Sequence, residues 1–258
     1  MIAKTDLPDS ELLRLMYYRK LVLVILATAM MVGVVGLVSG KSTDANKNQH
    51  NLESIEPLNL AILIQDDLVS QVGNELAVTG AFIRSMPRGS RVMVGYITAG
   101  TLQVRQPFTT DLEKAARSLR IPTSSVSSSP YNPYVEVIEA LKKFQNEWAN
   151  ANAVLLISDG LDTSRGFDST AAGQTLDIQR AINEANRRKV SVFSFYAPSV
   201  GLTSHSRLAS NYGQSSLNRL SDDTGGKAFF QGSTGFVTFD SYFKRLRETL
   251  NQQYAKAR

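Results

Sequence analysis

The chain has 258 residues, of which 43% are hydrophobic and 20% are charged, and this composition is typical of a folded protein. The formal charge of +5 comes mostly from residues 240–258, which carry five basic and two acidic residues, so it gives little support to nucleic-acid binding. Cysteine is absent, which excludes disulfides, thiolate nucleophiles and cysteine-bound metals.

The first element in chain order is a charge-free run, LVLVILATAMMVGVVGLVSG, at residues 21–40. About 20 residues of helix match a hydrocarbon core of ~30 Å, so the run predicts a single transmembrane helix. Arg14, Arg19 and Lys20 precede it, and the positive-inside rule then places the N-terminus in the cytoplasm and the rest of the chain outside. A cleaved signal peptide is the alternative, but its apolar region would normally be only ~7–15 residues long.

Composition divides the chain into four parts. Residues 1–20 are predicted to form a cytoplasmic segment that leads into the transmembrane helix 21–40. Residues 41–57 are almost entirely polar, which is typical of a tether. Apolar patterning begins at Leu58, and we expect residues 58–258 to form one domain. The predicted location is therefore the cell membrane, crossed once, with the C-terminal domain in the periplasm or outside the cell.

The predicted domain alternates short apolar runs with amphipathic ones. Four nearly continuous apolar runs predict strands that are buried on both faces: LNLAILIQ, RVMVGYIT, NAVLLIS and VSVFSFYA. Helical spacing lies between and after them, at residues 72–86, 135–144, 178–185 and 242–250. This alternation predicts an α/β fold, a doubly wound and mostly parallel sheet with helices on both faces.

Two local patterns refine that fold. TLQVRQPF follows RVMVGYIT after only Ala99 and Gly100, so the two runs predict a hairpin and hence one antiparallel edge strand. KAFFQG predicts a last short strand. The Ser- and Asn-rich stretch from Pro198 to Gly213 is interpreted as a long loop, which would be either a binding loop or disordered.

Acidic residues follow two of the predicted strands. Asp66 ends the first strand and Asp159 ends NAVLLIS, and parallel neighbours would bring both to the crevice where ligands bind in such sheets. Oxygen ligands of this kind suit Mg²⁺, Ca²⁺ or Mn²⁺. The alternative is that both acids are helix N-caps.

These segments carry a family resemblance. AILIQDDLVSQVGNEL, RVMVGYI with its hairpin and AVLLISDGLDTS resemble the von Willebrand factor type A (VWA) domain, over a region from about Leu58 to the C-terminus. The chain is also similar to membrane-anchored bacterial proteins related to that family. The resemblance implies a doubly wound fold and a metal-ion-dependent adhesion site built from an Asp-x-Ser-x-Ser motif, a distant Thr and a second Asp.

Mapped onto this sequence, the resemblance implies an incomplete set of metal ligands. Asp66, Ser70 and Asp159 match the motif, whereas Leu68 stands where the middle serine is expected. The distant threonine falls closest to Tyr131, and its neighbours supply the further candidate ligands Ser129 and Asn132. Asp67 is a substitute acid, although its side chain would point away from Asp66 if the strand continued. We expect at most weak binding of Mg²⁺ or another divalent cation.

The expected function is that of a non-enzymatic module for protein–protein interaction or adhesion, anchored in the membrane by residues 21–40. Its expected partner is a protein ligand, bound at the metal site or by the surrounding loops, of which one is Thr123 to Pro133. One alternative is a cytoplasmic-facing adaptor for an ATPase or a complex-assembly system. A topology reporter distinguishes the two.

A hydrolase is a further alternative. It would use Ser129 or Ser158 with His205, since the other histidine, His50, lies in the tether. The sequence marks neither an orienting acid nor an oxyanion hole for such a site. We therefore expect no catalytic residues and no organic cofactor.

Overall fold

The structure is a computed structural model, and it describes residues 56–125, 131–145, 151–167, 176–231 and 238–255. All of them belong to one compact unit, Gln49–Arg258. The predicted segments 1–20 and 21–40 and most of the tether lie outside the described residues. Within the described ranges, no helix is long and apolar enough to cross a membrane.

One six-stranded sheet organises the described residues. Its strands, in chain order, are β1 (Leu58–Gln65), β2 (Arg91–Thr98), β3 (Thr101–Thr109), β4 (Ala151–Ser158), β5 (Val190–Tyr196) and β6 (Ala228–Phe229). They lie in the order β3-β2-β1-β4-β5-β6, and every neighbouring pair is parallel except β2 with β3. The prediction of a mostly parallel sheet with one antiparallel edge strand is confirmed.

The β2–β3 turn explains how a connection of only two residues forms a hairpin. Ala99 and Gly100 both have positive φ angles, 49° and 73°. Two such residues form the type of turn whose twist matches that of paired antiparallel strands. The connection therefore reverses the chain in two residues and leaves β3 at the edge of the sheet.

Helices cover both faces of the sheet. After a 3₁₀ helix at Ser70–Glu75, the α-helices are α1 (Leu76–Arg84), α2 (Leu112–Arg117), α3 (Pro133–Leu141), α4 (Leu176–Arg187), α5 (Leu202–His205), α6 (Arg207–Asp222) and α7 (Asp240–Gln253). Buried side chains of α1, α2 and α7 belong to one apolar cluster, and those of α3, α4 and α6 belong to the other. The doubly wound arrangement is thus confirmed.

Strand β1 shows how the sequence builds both clusters at once. Successive side chains of a strand point to opposite faces, so Leu60 and Ile62 enter the cluster of α1 and α7, whereas Ala61 and Leu63 enter the other. All eight residues of β1 are buried. A continuous apolar run is the expected sequence of such a central strand.

The loop interpretation of Pro198 to Gly213 is wrong. Most of this stretch is helical, in α5 and the first half of α6. Ser206 caps α6 by accepting a hydrogen bond from the Ala209 amide. The small side chains that suggested a loop let α6 approach the sheet closely, since a Cβ atom on Gly213 would lie 1.9 Å from the carbonyl oxygen of Asp159.

Candidate functional site at the carboxyl ends of the strands

The structure brings the predicted acids to one edge of the sheet. Asp66 directly follows β1 and Asp159 directly follows β4, and these strands are parallel neighbours, with Ile64 paired to Ile157. Both acids are buried, as is Asp67. The two sides of the crevice nevertheless differ in every contact that matters for chemistry.

Asp66 is saturated with hydrogen bonds. Its Oδ1 accepts from Arg120 Nη1 at 2.6 Å and from the Thr123 amide at 3.0 Å. Its Oδ2 accepts from Arg120 Nη2 at 2.8 Å and from the Thr98 hydroxyl at 2.9 Å. The Arg120 guanidinium therefore forms a bidentate ion pair with the carboxylate, which is the strong geometry for such pairs.

Arg120 is itself held in place by Tyr96. The guanidinium carbon lies 4.1 Å from the centre of the Tyr96 ring, which is a cation–π contact. The Tyr96 hydroxyl also accepts from the Arg120 amide and donates to the Arg120 carbonyl, both at 2.7 Å. Only 25% of the Arg120 side chain is exposed, against 1% for Asp66. The two residues thus form a mostly buried ion pair.

These contacts keep Asp66 ionised. Burial by itself would raise the pKa of Asp66, but the hydrogen bonds from Arg120, Thr123 and Thr98 outweigh it, and the pKa lies below its ordinary value. The hydrogen bond to Asp66 in turn raises the pKa of Arg120. The charge of Asp66 is therefore neutralised within the protein.

Asp67 and Asp159 lie on the other side of the crevice, where no cationic side chain of the described residues forms an ion pair with either of them. Gln65 joins them: its Nε2 donates to Asp67 Oδ1 at 2.7 Å, and its Oε1 accepts from the Asp159 amide at 3.3 Å and from the Ser158 hydroxyl. Asp159 Oδ1 accepts from the Leu161 amide, and Oδ2 accepts from the Thr203 hydroxyl at 3.2 Å. All of these donors are neutral.

The pKa values of both carboxyl groups are raised. Burial, followed by the negative charge of Asp159, raises the pKa of Asp67 to about 7. Burial also raises the pKa of Asp159, against the hydrogen bonds that it accepts. Asp67 and Asp66 accept hydrogen bonds from different partners, and the charge of Asp159 raises the pKa of Asp67.

Neither predicted acid caps a helix, so the N-cap alternative is wrong. After β1 the chain does not enter a helix directly, because residues around Leu68 bridge to Ser199 and the Val69 amide donates to the Pro198 carbonyl. The 3₁₀ helix begins only at Ser70, and its N-cap is Val69. After β4, Asp159 closes a local turn on the Leu161 amide.

The remaining motif positions are not assembled around the acids. Leu68 is completely buried in the apolar cluster of α1 and α7. Ser70 is exposed, and no hydrogen bond within the described ranges joins it to Asp66 or Asp159. Asn132 is the N-cap of α3, and its Nδ2 donates to Asp162 and to Asp177. Ser129 lies outside the described residues.

Tyr131 directly precedes the N-cap of α3 and interacts electrostatically with the three acids. It is buried, and burial followed by the negative charge of Asp67 raises its pKa to about 12. The charges of Asp66 and Asp159 act in the same direction. Where the resemblance places a threonine ligand, the chain therefore has a buried tyrosine.

A divalent cation does not fit Asp66 as the structure has it. A carboxylate offers about four lone-pair sites, and all four hydrogen bonds of Asp66 are already made to protein donors. Across the described ranges, no group of three or more His, Cys, Asp or Glu side chains is arranged to hold a metal ion. Any cation would first have to displace at least one of these donors.

The hydrolase alternative gains no support from the geometry. Ser158 is buried, and its hydroxyl donates to Gln65 and accepts from the Gly160 amide. His205 is exposed at the end of α5. No hydrogen bond joins the two residues in the part of the chain that the structure describes. The interaction module, the adaptor and the hydrolase all stay predictions.

Sequence reasoning missed the residues that decide the electrostatics of this site. Arg120 lies in the irregular segment after α2, outside any periodic pattern, and its pairing with Asp66 spans 54 positions. Gln65 carried a usable signal, because it and Asn59 are the two polar residues of a strand that is buried along its whole length. Such a side chain needs a buried partner, and here it has several.

Comparisons with known proteins bear on the fold. No family model matches the chain, and no curated protein matches it significantly. Among solved structures, the chain is similar to the conserved hypothetical protein BatB from Bacteroides thetaiotaomicron, with 14% identity, a TM-score of 0.53, and 76% of this chain and 97% of that chain covered.

A second similar structure is an aerotolerance-related membrane protein from Bacteroides fragilis NCTC 9343, which carries multiple mutations to serine. Its identity is 13% and its TM-score is 0.51, with 76% of this chain and 99% of that chain covered. At such identities the likeness shows a shared fold. The described residues thus have an α/β, VWA-like fold.

Proposed function

We propose that the domain is a non-enzymatic protein-interaction module whose carboxyl-end edge binds a protein partner. One observation carries this proposal, namely where large exposed apolar side chains lie. In the described ranges, the large hydrophobic residues that are 37% to 66% exposed are Ile121, Val135, Leu176, Leu202 and Leu208. Each of them lies in a segment that reaches this one edge of the sheet.

Contacts of neighbouring residues establish that placement. Ile121 follows Arg120, which binds Asp66 at the end of β1. Val135 lies in the first turn of α3, whose cap Asn132 binds Asp162 after β4. Isolated exposed apolar residues are ordinary, but a set confined to one edge is typical of an interaction surface.

The other three residues reach the same edge. Leu176 begins α4, where its neighbour Asp177 accepts from Asn132. Leu202 precedes Thr203, whose hydroxyl donates to Asp159. Leu208 lies in the first turn of α6, where Ser210 donates to the Thr203 carbonyl. The buried acids below are held by structural hydrogen bonds, which favours a binding role over catalysis at this edge.

Site-specific photocrosslinking tests the proposal. A photoreactive phenylalanine analogue is placed at Ile121, Leu202 or Leu208 in the full chain, which is expressed in the organism that it comes from. Matched controls place it at Arg88 and Lys189, which are exposed and precede β2 and β5 at the opposite edge. We expect one shared protein adduct from the three edge positions and none from the controls. Equal adducts from both edges would contradict the proposal.

We further propose that the predicted helix 21–40 anchors this module in the membrane with the domain outside the cytoplasm. The positive charges that precede the run support this orientation, and the Bacteroides fragilis neighbour is described as a membrane protein. A reporter active only outside the cytoplasm, fused after Arg258, should be active. Activity of a cytoplasm-only reporter at the same position would favour the adaptor alternative.

A further inference from the structure

We propose that Arg120 is the resident cation of this site: its guanidinium supplies to Asp66 the positive charge that a divalent ion would supply, so the edge is organised without a bound metal. The support comes from the contacts of Asp66, Arg120, Tyr96 and Leu68.

The first support is the saturation of the carboxylate. Four donors at 2.6 to 3.0 Å surround the two oxygens of Asp66, and two of them belong to Arg120. A divalent ion would have to replace at least one of these donors. It would also place its charge beside the guanidinium, which repels it.

The second support is that Arg120 is preorganised. The two hydrogen bonds to the Tyr96 hydroxyl fix the backbone of Arg120, and the Tyr96 ring fixes its guanidinium plane. Arginine loses less freedom on binding a carboxylate than a mobile lysine would, because its planar fork already matches the two oxygens. A built-in cation of this kind competes with a metal at very high effective concentration.

The third support is Leu68. At the position where a second hydroxyl ligand is expected, the chain has an apolar side chain that is completely buried among the residues of α1 and α7. Leu68 cannot turn toward Asp66 without leaving that cluster. A metal ligand is thus lost and an internal cation gained at the same carboxylate.

The experiment uses the full chain, purified in detergent micelles. Calorimetric titration with Mg²⁺, Ca²⁺ and Mn²⁺ should show no binding at millimolar concentration, and the Tm should be the same with these ions and with EDTA. Binding by the wild type that is lost in Asp66→Asn would overturn the proposal, whether or not any arginine variant folds.

Variants then test whether removal of Arg120 allows a metal ion to bind at Asp66. Arg120→Ala should lower the Tm in EDTA by about 10 °C, because a buried carboxylate loses its partner. Mg²⁺ or Mn²⁺ should recover part of this loss, and the double variant Arg120→Ala/Asp66→Asn should show no recovery. A Tm for Arg120→Ala in EDTA equal to that of the wild type would contradict the role of Arg120.

A matched control separates this effect from the loss of any arginine. Arg117 lies three residues earlier, with 69% of its side chain exposed and a distant ion pair of 3.8 Å to Glu113. Arg117→Ala should leave the Tm within about 2 °C of the wild type and should show no metal response. Neither the calorimetry nor the Tm measurement requires the protein partner. Metal binding by the wild type would therefore concern the role of Arg120, whereas a missing crosslinked adduct would concern the proposed interaction surface.

Discussion

Asp66 and Asp159 are the same residue type at the same place on neighbouring parallel strands, yet their environments are opposite. Asp66 is paired with a guanidinium, and its pKa is lowered although burial opposes this. Asp159 has neutral donors and a second acid nearby, and burial raises its pKa. The difference teaches that the position after a strand brings an acid to the crevice, whereas its partners decide whether it carries charge.

The largest effect is expected from removing the charge of Asp66. Asp66→Asn should lower the free energy of unfolding at pH 7 by about 3 kcal/mol, because Arg120 keeps its charge in a mostly buried position. Asp159→Asn should cost about 1 kcal/mol or less, because it removes a charge that burial already disfavours. Urea unfolding of the two variants measures both values, and equal losses would contradict the comparison.

The contribution of Asp66 also has a defined pH range. Its folded pKa is below the unfolded one, so its stabilising effect is present above the unfolded pKa and is lost as the pH falls through the lowered folded value. The unfolding free energy of the wild type should therefore approach that of Asp66→Asn only in strong acid.

A second, smaller change disturbs the side of Asp159 through its backbone. Gly213→Ala would place a Cβ atom 1.9 Å from the Asp159 carbonyl oxygen, so α6 must move away from the end of β4. We expect a loss of about 2 to 3 kcal/mol in unfolding free energy. Gly201→Ala is the control, since its nearest neighbour would be Ser199 Oγ at 3.5 Å, and it should change stability by about 0.5 kcal/mol or less.

A third change sharpens the role of Tyr96. Tyr96→Phe keeps the ring under the guanidinium but removes the hydroxyl that bonds the Arg120 amide and carbonyl. We expect a loss of about 1 to 1.5 kcal/mol, measured by urea unfolding. Because the ion pair to Asp66 remains, this loss should be clearly smaller than that of Asp66→Asn. A larger loss would indicate that the backbone contacts dominate.

The smallest expected effect tests whether other buried acids follow Asp159. Glu136 of α3 is buried, and burial raises its pKa to about 6. Its folded pKa is above the unfolded one, so its ionisation weakens the folded state as the pH rises from about 4.5 to 6. Glu136→Gln should thus be more stable than the wild type by about 1 kcal/mol at pH 7, and the difference should shrink toward pH 4.

The control for Glu136 is its neighbour on the same helix. Glu139 is partly exposed, with 44% of its side chain accessible, and pairs with Lys142 at 2.6 Å. Glu139→Gln removes the same charge from the surface and should change stability by about 0.5 kcal/mol or less at either pH. A gain equal to that of Glu136→Gln would indicate a general charge effect.

Much of the fold was predictable because buried strands have a recognisable apolar pattern in the local sequence. The strands LNLAILIQ and RVMVGYIT match β1 and β2 residue for residue, since central strands buried on both faces are mostly apolar. Helix α6 was not predictable in the same way. Its buried face contains Ser210, Gly213 and Ser216, and such small or polar residues resemble a loop until the sheet that they approach is known.

The sequence by itself determined the strands, the hairpin, and the arrival of Asp66 and Asp159 at one edge, because periodicity and parallel pairing are local or follow from chain order. Only the tertiary structure decided their chemistry. Arg120 reaches Asp66 across 54 positions, and Asp67 rather than Asp66 shares the side of Asp159. Charge depends on partners and desolvation, and folding alone supplies both.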